Sequence, residues 1–86
     1  MIIMKNILME KELLKSFGKN VKEIRLSQEI SQEELALKAE LDRTYISGIE
    51  RGLRNVSLIN IFKISKALDV TAPELLLDLE NIKIKE

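Results

Sequence analysis

Two helix starts lie close together in the middle of the chain, and they constrain its fold more than any other feature. Ser31 is followed three residues later by Glu34, which is the spacing of a capping box at a helix N-terminus. Asp42 is a second good N-cap, and Gly52 suits the position just beyond the end of the helix that Asp42 begins. Only a tight turn fits between the two helices, so the segment predicts two short helices in immediate succession.

Two short helices joined by a tight turn are typical of a helix-turn-helix, whose second helix enters the DNA major groove and contacts base edges. The second helix begins with outward polar side chains, Arg43, Thr44 and Ser47. Arg43 is the strongest base-reading candidate, because Arg pairs with guanine and is otherwise unfavourable at a helix N-terminus. Thr44 and Ser47 fit either base contacts or ordinary helix surface. Gly48 is costly within a helix, which points to a close approach of DNA or of a neighbouring helix.

The composition allows one small domain over residues 1–86, with a core at about 11–80 and ragged ends. Hydrophobic residues make up 45% and charged residues 33%, an ordinary globular balance. Because the chain has no Cys and no His, it lacks the commonest metal ligands and general base, and we expect no enzyme activity, metal or cofactor. No apolar run could span a membrane, and the apolar N-terminus has no signal-peptide cleavage site, so we expect a cytoplasmic protein.

The net charge of zero hides an uneven distribution along the chain. Residues 43–66, which include the predicted reading helix, hold five Lys/Arg against one Asp/Glu. Residues 28–42 hold one against five, residues 1–27 six against three, and residues 67–86 two against five. Counterion release depends on the phosphates contacted rather than on total charge, so a local basic patch is sufficient for DNA binding.

Few Gly and Pro interrupt the chain and no alternating apolar run indicates a strand, so we predict an all-α fold of five helices. The first helix runs from about Lys11 to Gln28. The fourth begins after Ser57 and has a core stripe of Leu58, Ile61, Ile64 and Leu68. The fifth begins at Thr71 and continues through Leu79. Its leucines exceed what one core-facing side needs, so we predict a two-fold dimer through Leu75, Leu76 and Leu79. The alternative is that these leucines form extra core beneath the apolar N-terminal segment.

A longer pattern extends across the predicted pair and its neighbours: Gly18, Ile24-Arg25, residues 31–36, Ile46-Ser47 and residues 49–52. Over residues 17–76 it resembles the Xre/Cro/CI family of helix-turn-helix regulators. Residues 41–51 with Arg54-Asn55 are similar to the controller proteins of restriction-modification systems. The resemblance implies a lambda-repressor-like fold, with the helix-turn-helix in helices two and three. It also implies a homodimer that binds operator DNA upstream of its own gene, and that first activates and then represses its operon.

Other functions stay open beside the controller. One is a general Xre-type repressor, and another is an antitoxin whose partner is a protein toxin; the adjacent gene would separate them from a controller. A third is an interaction module that reuses the fold without binding DNA, which Arg43, Arg54 and Asn55 together argue against.

Contacts to the sugar-phosphate backbone involve a second set of residues. Arg51, Arg54 and Asn55 lie where the resembled family contacts phosphates. Arg51 would equally complement the C-terminal end of a helix. Gln32 lies at a helix N-terminus, which suits a phosphate. Tyr45 fits either packing beneath its helix or contact with the DNA backbone.

The resemblance also implies roles away from the reading helix. Arg25 and Glu50 correspond to an ion pair that joins the first helix to the third. Glu33 lies where activators of the family present an acidic residue to the RNA polymerase sigma subunit. Glu29 and Glu40 depart from the family, which usually has Gly there with a left-handed backbone. We expect each departure to cost about 1 kcal/mol or more.

Overall fold

The computed structural model describes residues 2–82 of the chain, and side chains from residue 6 onward. Within that range the prediction of an all-α fold with five helices is confirmed, and no strand is present. The helices are α1 Ile2–Ser27, α2 Gln32–Ala39, α3 Arg43–Glu50, α4 Leu58–Ala67 and α5 Ala72–Leu75, followed by a 3₁₀ turn, Leu79–Asn81. None of the helices in residues 2–82 combines the length and the apolar character needed to cross a membrane.

α1 is longer than the sequence predicted, since it begins at Ile2 rather than near Lys11. Residues 2–10 contain no Gly or Pro, and most of them are good helix formers. Extending an existing helix is far easier than nucleating one, so nothing in this stretch stops the helix. The extension leaves the apolar side chains of Ile7 and Leu8 exposed.

α2 and α3 begin where the sequence places them. The Ser31 hydroxyl accepts from the Glu34 N–H at 3.0 Å, and the Glu34 carboxylate accepts from the Ser31 N–H at 3.0 Å. Asp42 accepts from the Thr44 N–H at 2.7 Å. Glu29 and Glu40 both have the left-handed backbone expected of them, with φ of 58° and 56°. These caps and turns fix the two helices of the helix-turn-helix.

The core is one cluster of apolar side chains to which all five helices contribute: Phe17, Val21, Leu35, Ala36, Ala39, Ile46, Ile49, Ile64, Leu68 and Leu75. Gly18 allows a very close helix contact, because a Cβ atom there would overlap the carbonyl oxygen of Ile49. The backbones of α1 and α3 therefore touch, and this contact sets the position of α3 in the fold.

α5 begins after Thr71, as predicted, but it ends at Leu75 instead of continuing through Leu79. Asn20 of α1 explains the early end, because its amide group donates to the carbonyl oxygens of Leu75 at 2.9 Å and Leu77 at 3.0 Å. Those bonds satisfy carbonyls that a continuing helix would have used, and they tie the end of α5 to α1.

Two apolar assignments need correction. Leu58 was expected in the core, but its side chain is 70% exposed; of the other predicted positions, Ile64 and Leu68 lie in the core and Ile61 is half-buried against it. Leu75 was expected at a dimer surface, but it is fully buried within its own protomer, which removes it from that surface. A one-turn α5 has too few residues to present a second apolar face of its own, so Leu75 serves the core.

Candidate DNA interface

The first two turns of α3 carry the residues predicted to contact bases. Ile46 and Ile49 are buried, which fixes the side of α3 that faces the core. Arg43 and Thr44 are exposed at its N-terminus, and Ser47 is half-buried one turn further along. The arrangement allows the outer side of α3 to enter a groove while the core holds the helix in place.

Tyr45 is packed, as one of its two predicted uses requires. Its hydroxyl accepts from Asn60 Nδ2 at 3.1 Å, which links α3 to the first turn of α4. The guanidinium carbon of Arg54 lies 5.7 Å from the centre of its ring, within the range of a cation–π interaction. Tyr45 remains half-buried, so part of the side chain is open to solvent.

The loop after α3 carries the other basic side chains. Arg51 is the C-cap of α3 and its side chain is exposed. Gly52 follows with φ of 76°, which confirms the predicted Gly at the position just beyond the helix end. Arg54 is exposed and lies over the Tyr45 ring of α3. Asn55 borders an apolar groove beside Leu14 of α1. The three predicted phosphate contacts after α3, Arg51, Arg54 and Asn55, therefore all lie within residues 51–55.

Arg25 and Glu50 form a buried, bidentate ion pair between α1 and α3. Arg25 Nε donates to Glu50 Oε2 at 2.7 Å and its Nη2 donates to Glu50 Oε1 at 2.9 Å. The two side chains are 8% and 2% exposed. The hydrogen bonds to Glu50 and the negative charge of the Glu50 carboxylate raise the pKa of Arg25. Burial of the guanidinium lowers this pKa, but by less. A charged pair thus fixes the end of α3 to α1.

Gln32 also belongs to this cluster, because its amide nitrogen donates to Glu50 Oε1 at 3.0 Å. The Gln32 side chain therefore has a structural role, its hydrogen bond to Glu50, besides the predicted contact with a phosphate. Glu33, by contrast, is exposed on α2, and its neighbour Glu34 is engaged in the capping box. Glu33 is on a different helix from the α3 surface just described.

Sequence reasoning missed two features of the site. The first is the hydrogen bond from Asn60 to Tyr45. Its one local sign in the sequence is that Asn60 is a polar residue between two apolar residues of α4. Gly48 was attributed to a close approach of DNA or a neighbouring helix; within the protein, the atoms nearest to a Cβ on Gly48, apart from its own helix, belong to the Arg54 side chain, which the sequence did not indicate. Nothing in the sequence indicates how the Arg54 side chain folds back.

The comparisons with known proteins agree with this geometry. The helix-turn-helix family matches residues 21–75. The control protein C.BamHI of Bacillus amyloliquefaciens is 62% identical over 61 residues, which cover 70% of this chain and 75% of that protein. The control protein C.MunI of Mycoplasma sp is 49% identical over 66 residues, covering 76% and 89%.

A solved structure shows the same relationship. The restriction-modification controller protein C.AhdI from Aeromonas hydrophila superposes with a TM-score of 0.71 at 50% identity, over 72% of this chain and 94% of that chain. Family, sequence and structure therefore all lead to one assignment. The chain belongs to the helix-turn-helix family of transcriptional regulators and, within it, to the controller proteins of restriction-modification systems.

Proposed function

We propose that this chain binds operator DNA upstream of its own gene as a homodimer and regulates a restriction-modification operon, activating it first and repressing it at higher dose. The observation that carries the proposal is the exposed start of α3, where Arg43 and Thr44 face solvent on a helix fixed by its buried side. Arg43 would donate two hydrogen bonds to a guanine. Thr44 and Ser47 would contact neighbouring bases.

Backbone contacts would come from both ends of the motif. Arg51, Arg54 and Asn55 would meet phosphates beside the reading helix, and exposed edges of Tyr45 would meet the sugar-phosphate chain. The amide of Gln32 has two N–H donors and uses one for Glu50. Its second N–H remains available for a phosphate, so the structural and the DNA contact are compatible.

Exposed apolar side chains support a dimer. Leu58 and Ile59 are 70% and 69% exposed on α4, and Phe62 is 52% exposed on the same helix. Leu76 and Leu77, just after α5, are exposed as well, and α4 packs against α5. Small proteins rarely expose this much neighbouring apolar surface without a partner. A two-fold contact here would have to set two α3 helices about 34 Å apart, as successive major grooves require.

Charged substitutions in this surface should produce monomers. We expect Phe62→Lys and Leu76→Lys to sediment as folded monomers with weak operator affinity, because a Lys ammonium cannot be buried unpaired in an apolar contact. Leu75→Lys should mainly unfold the protein, since Leu75 is fully buried in the core. Leu37→Lys is the matched control: Leu37 is 74% exposed on α2 and does not belong to the proposed surface on α4 and after α5. A wild-type chain that sediments as a monomer at high concentration would contradict the dimer.

Activation should depend on Glu33. We expect Glu33→Ala to bind the operator normally but to lose activated transcription, because its exposed carboxylate would contact the RNA polymerase sigma subunit. Glu34→Ala is a poor substitute, since it also removes the capping box of α2. The measurement is transcription from the target promoter at saturating protein. Undiminished activation by the Glu33 variant would refute this role.

Transcription from the chain's own upstream DNA tests the proposed function directly. With RNA polymerase present, added protein should first raise and then lower the transcript from that promoter. A general repressor would only lower it, and an interaction module would leave it unchanged at every concentration.

A further inference from the structure

The side chain of Arg54 packs directly against Gly48, in the second half of α3. A Cβ atom on Gly48 would lie 3.0 Å from Arg54 Cγ, 3.1 Å from its Nε and 3.6 Å from its Cδ. Apart from the backbone of α3 and the adjoining residues, these are the three nearest atoms, and all belong to one flexible side chain. The missing side chain at position 48 therefore creates the space that Arg54 occupies.

Tyr45 lies one helical turn before Gly48 and bounds the same space. Its ring centre is 5.7 Å from Arg54 Cζ, and its hydroxyl is fixed by the hydrogen bond from Asn60. Arg54 is a loop residue, yet these two α3 residues hold its side chain on the helix. An Arg held in this way has less rotamer freedom left to lose when it meets a ligand.

We propose that Gly48 and Tyr45 are positioning residues for Arg54, and that they place its guanidinium on the DNA side of α3 before DNA arrives. This rests on the DNA binding proposed above. Gly is unfavourable in a helix relative to Ala, so a helical Gly that serves only the fold would be better replaced. Gly48 makes α3 less stable than Ala would, but it leaves room for the Arg54 side chain, which is proposed to bind a phosphate.

A double-mutant cycle tests the inference, with duplex DNA from upstream of the chain's own gene as the probe. Gly48→Ala should shift the Arg54 side chain, because the new Cβ would lie closer to it than ordinary van der Waals contact, and should weaken binding by up to about tenfold, the cost of ordering one long side chain. Its melting temperature should be unchanged or higher, because Ala favours the helix. In an Arg54→Ala background, Gly48→Ala should cause no further weakening, since the side chain it displaces is gone.

Arg51→Ala provides the matched control, because Arg51 belongs to the same turn but supplies none of the three atoms nearest Gly48. Gly48→Ala should weaken binding equally with and without Arg51. Equal weakening with and without Arg54, no weakening at all, or a clear fall in melting temperature would each overturn the inference. If the wild-type chain fails to bind the DNA, the proposed function itself fails; if it binds and only the cycle is additive, the positioning role alone is lost.

Discussion

Glu50→Ala should lower the free energy of unfolding by about 3–5 kcal/mol, a large part of the stability of a small domain. The substitution leaves the Arg25 guanidinium buried without its carboxylate, keeping only the hydrogen bond to the carbonyl of Ile30 at 2.8 Å. Arg25→Ala should cost a similar amount, because it leaves Glu50 buried with the neutral amide of Gln32 as its partner. Urea unfolding followed by circular dichroism measures both.

The chain supplies its own control for this prediction. Lys19 and Glu23 form an exposed pair at 3.8 Å on α1, with side chains 74% and 63% exposed. Lys19→Ala should change stability by no more than about 0.5 kcal/mol, as is usual for surface substitutions. If Arg25→Ala or Glu50→Ala were as mild as Lys19→Ala, the buried pair would not be holding α1 to α3.

Arg43→Ala should weaken operator binding by about 1–3 kcal/mol per half-site and relax the preference at one base pair. The side chain is exposed in the first turn of α3, where it can reach a base edge, and no core contact is lost with it. The check is the affinity of the variant for a set of operators with single-base changes. Equal loss for every sequence would mean that Arg43 touches only backbone, and reading would pass to Thr44 and Ser47.

Arg54→Ala is the comparison for Arg43→Ala, because it removes the same charge from the loop instead of the reading turn. We expect it to weaken binding to specific and non-specific DNA alike and to reduce the salt slope of binding by about one unit for each phosphate contact removed. Both variants should melt close to the wild-type temperature, since both side chains are exposed and the cation–π contact that Arg54 makes with Tyr45 is worth only about 0.5–1 kcal/mol.

Local interactions are the part of the fold that the sequence predicts well. The caps at Ser31 and Asp42 join residues two or three positions apart, so their spacing is visible in the chain. The end of α5 depends on Asn20, which is 55 positions from Leu75, and no local pattern reports such a bond. The ion pair of Arg25 and Glu50 joins residues 25 positions apart, and only the family resemblance implied it.

Surface and site details were harder to predict for a related reason. α4 has apolar residues on more than one side, so periodicity assigned both Leu58 and Ile61 to the core and gave no sign that Leu58 is exposed. The surplus of apolar residues on α4 is itself a sequence signal for an exposed apolar surface on that helix. The packing of Arg54 on Gly48 depends on a side-chain conformation, which the sequence does not encode in any spacing.

Footprinting on the DNA upstream of the chain's own gene tests the central claim most directly, with an equal length of scrambled DNA as competitor. We predict protection of two half-sites whose centres lie about 34 Å apart, retained under an excess of scrambled duplex and requiring a higher protein concentration in Arg43→Ala. Equal binding to the scrambled duplex, or protection unchanged by Arg43→Ala, would contradict a sequence-specific regulator that reads DNA through the start of α3.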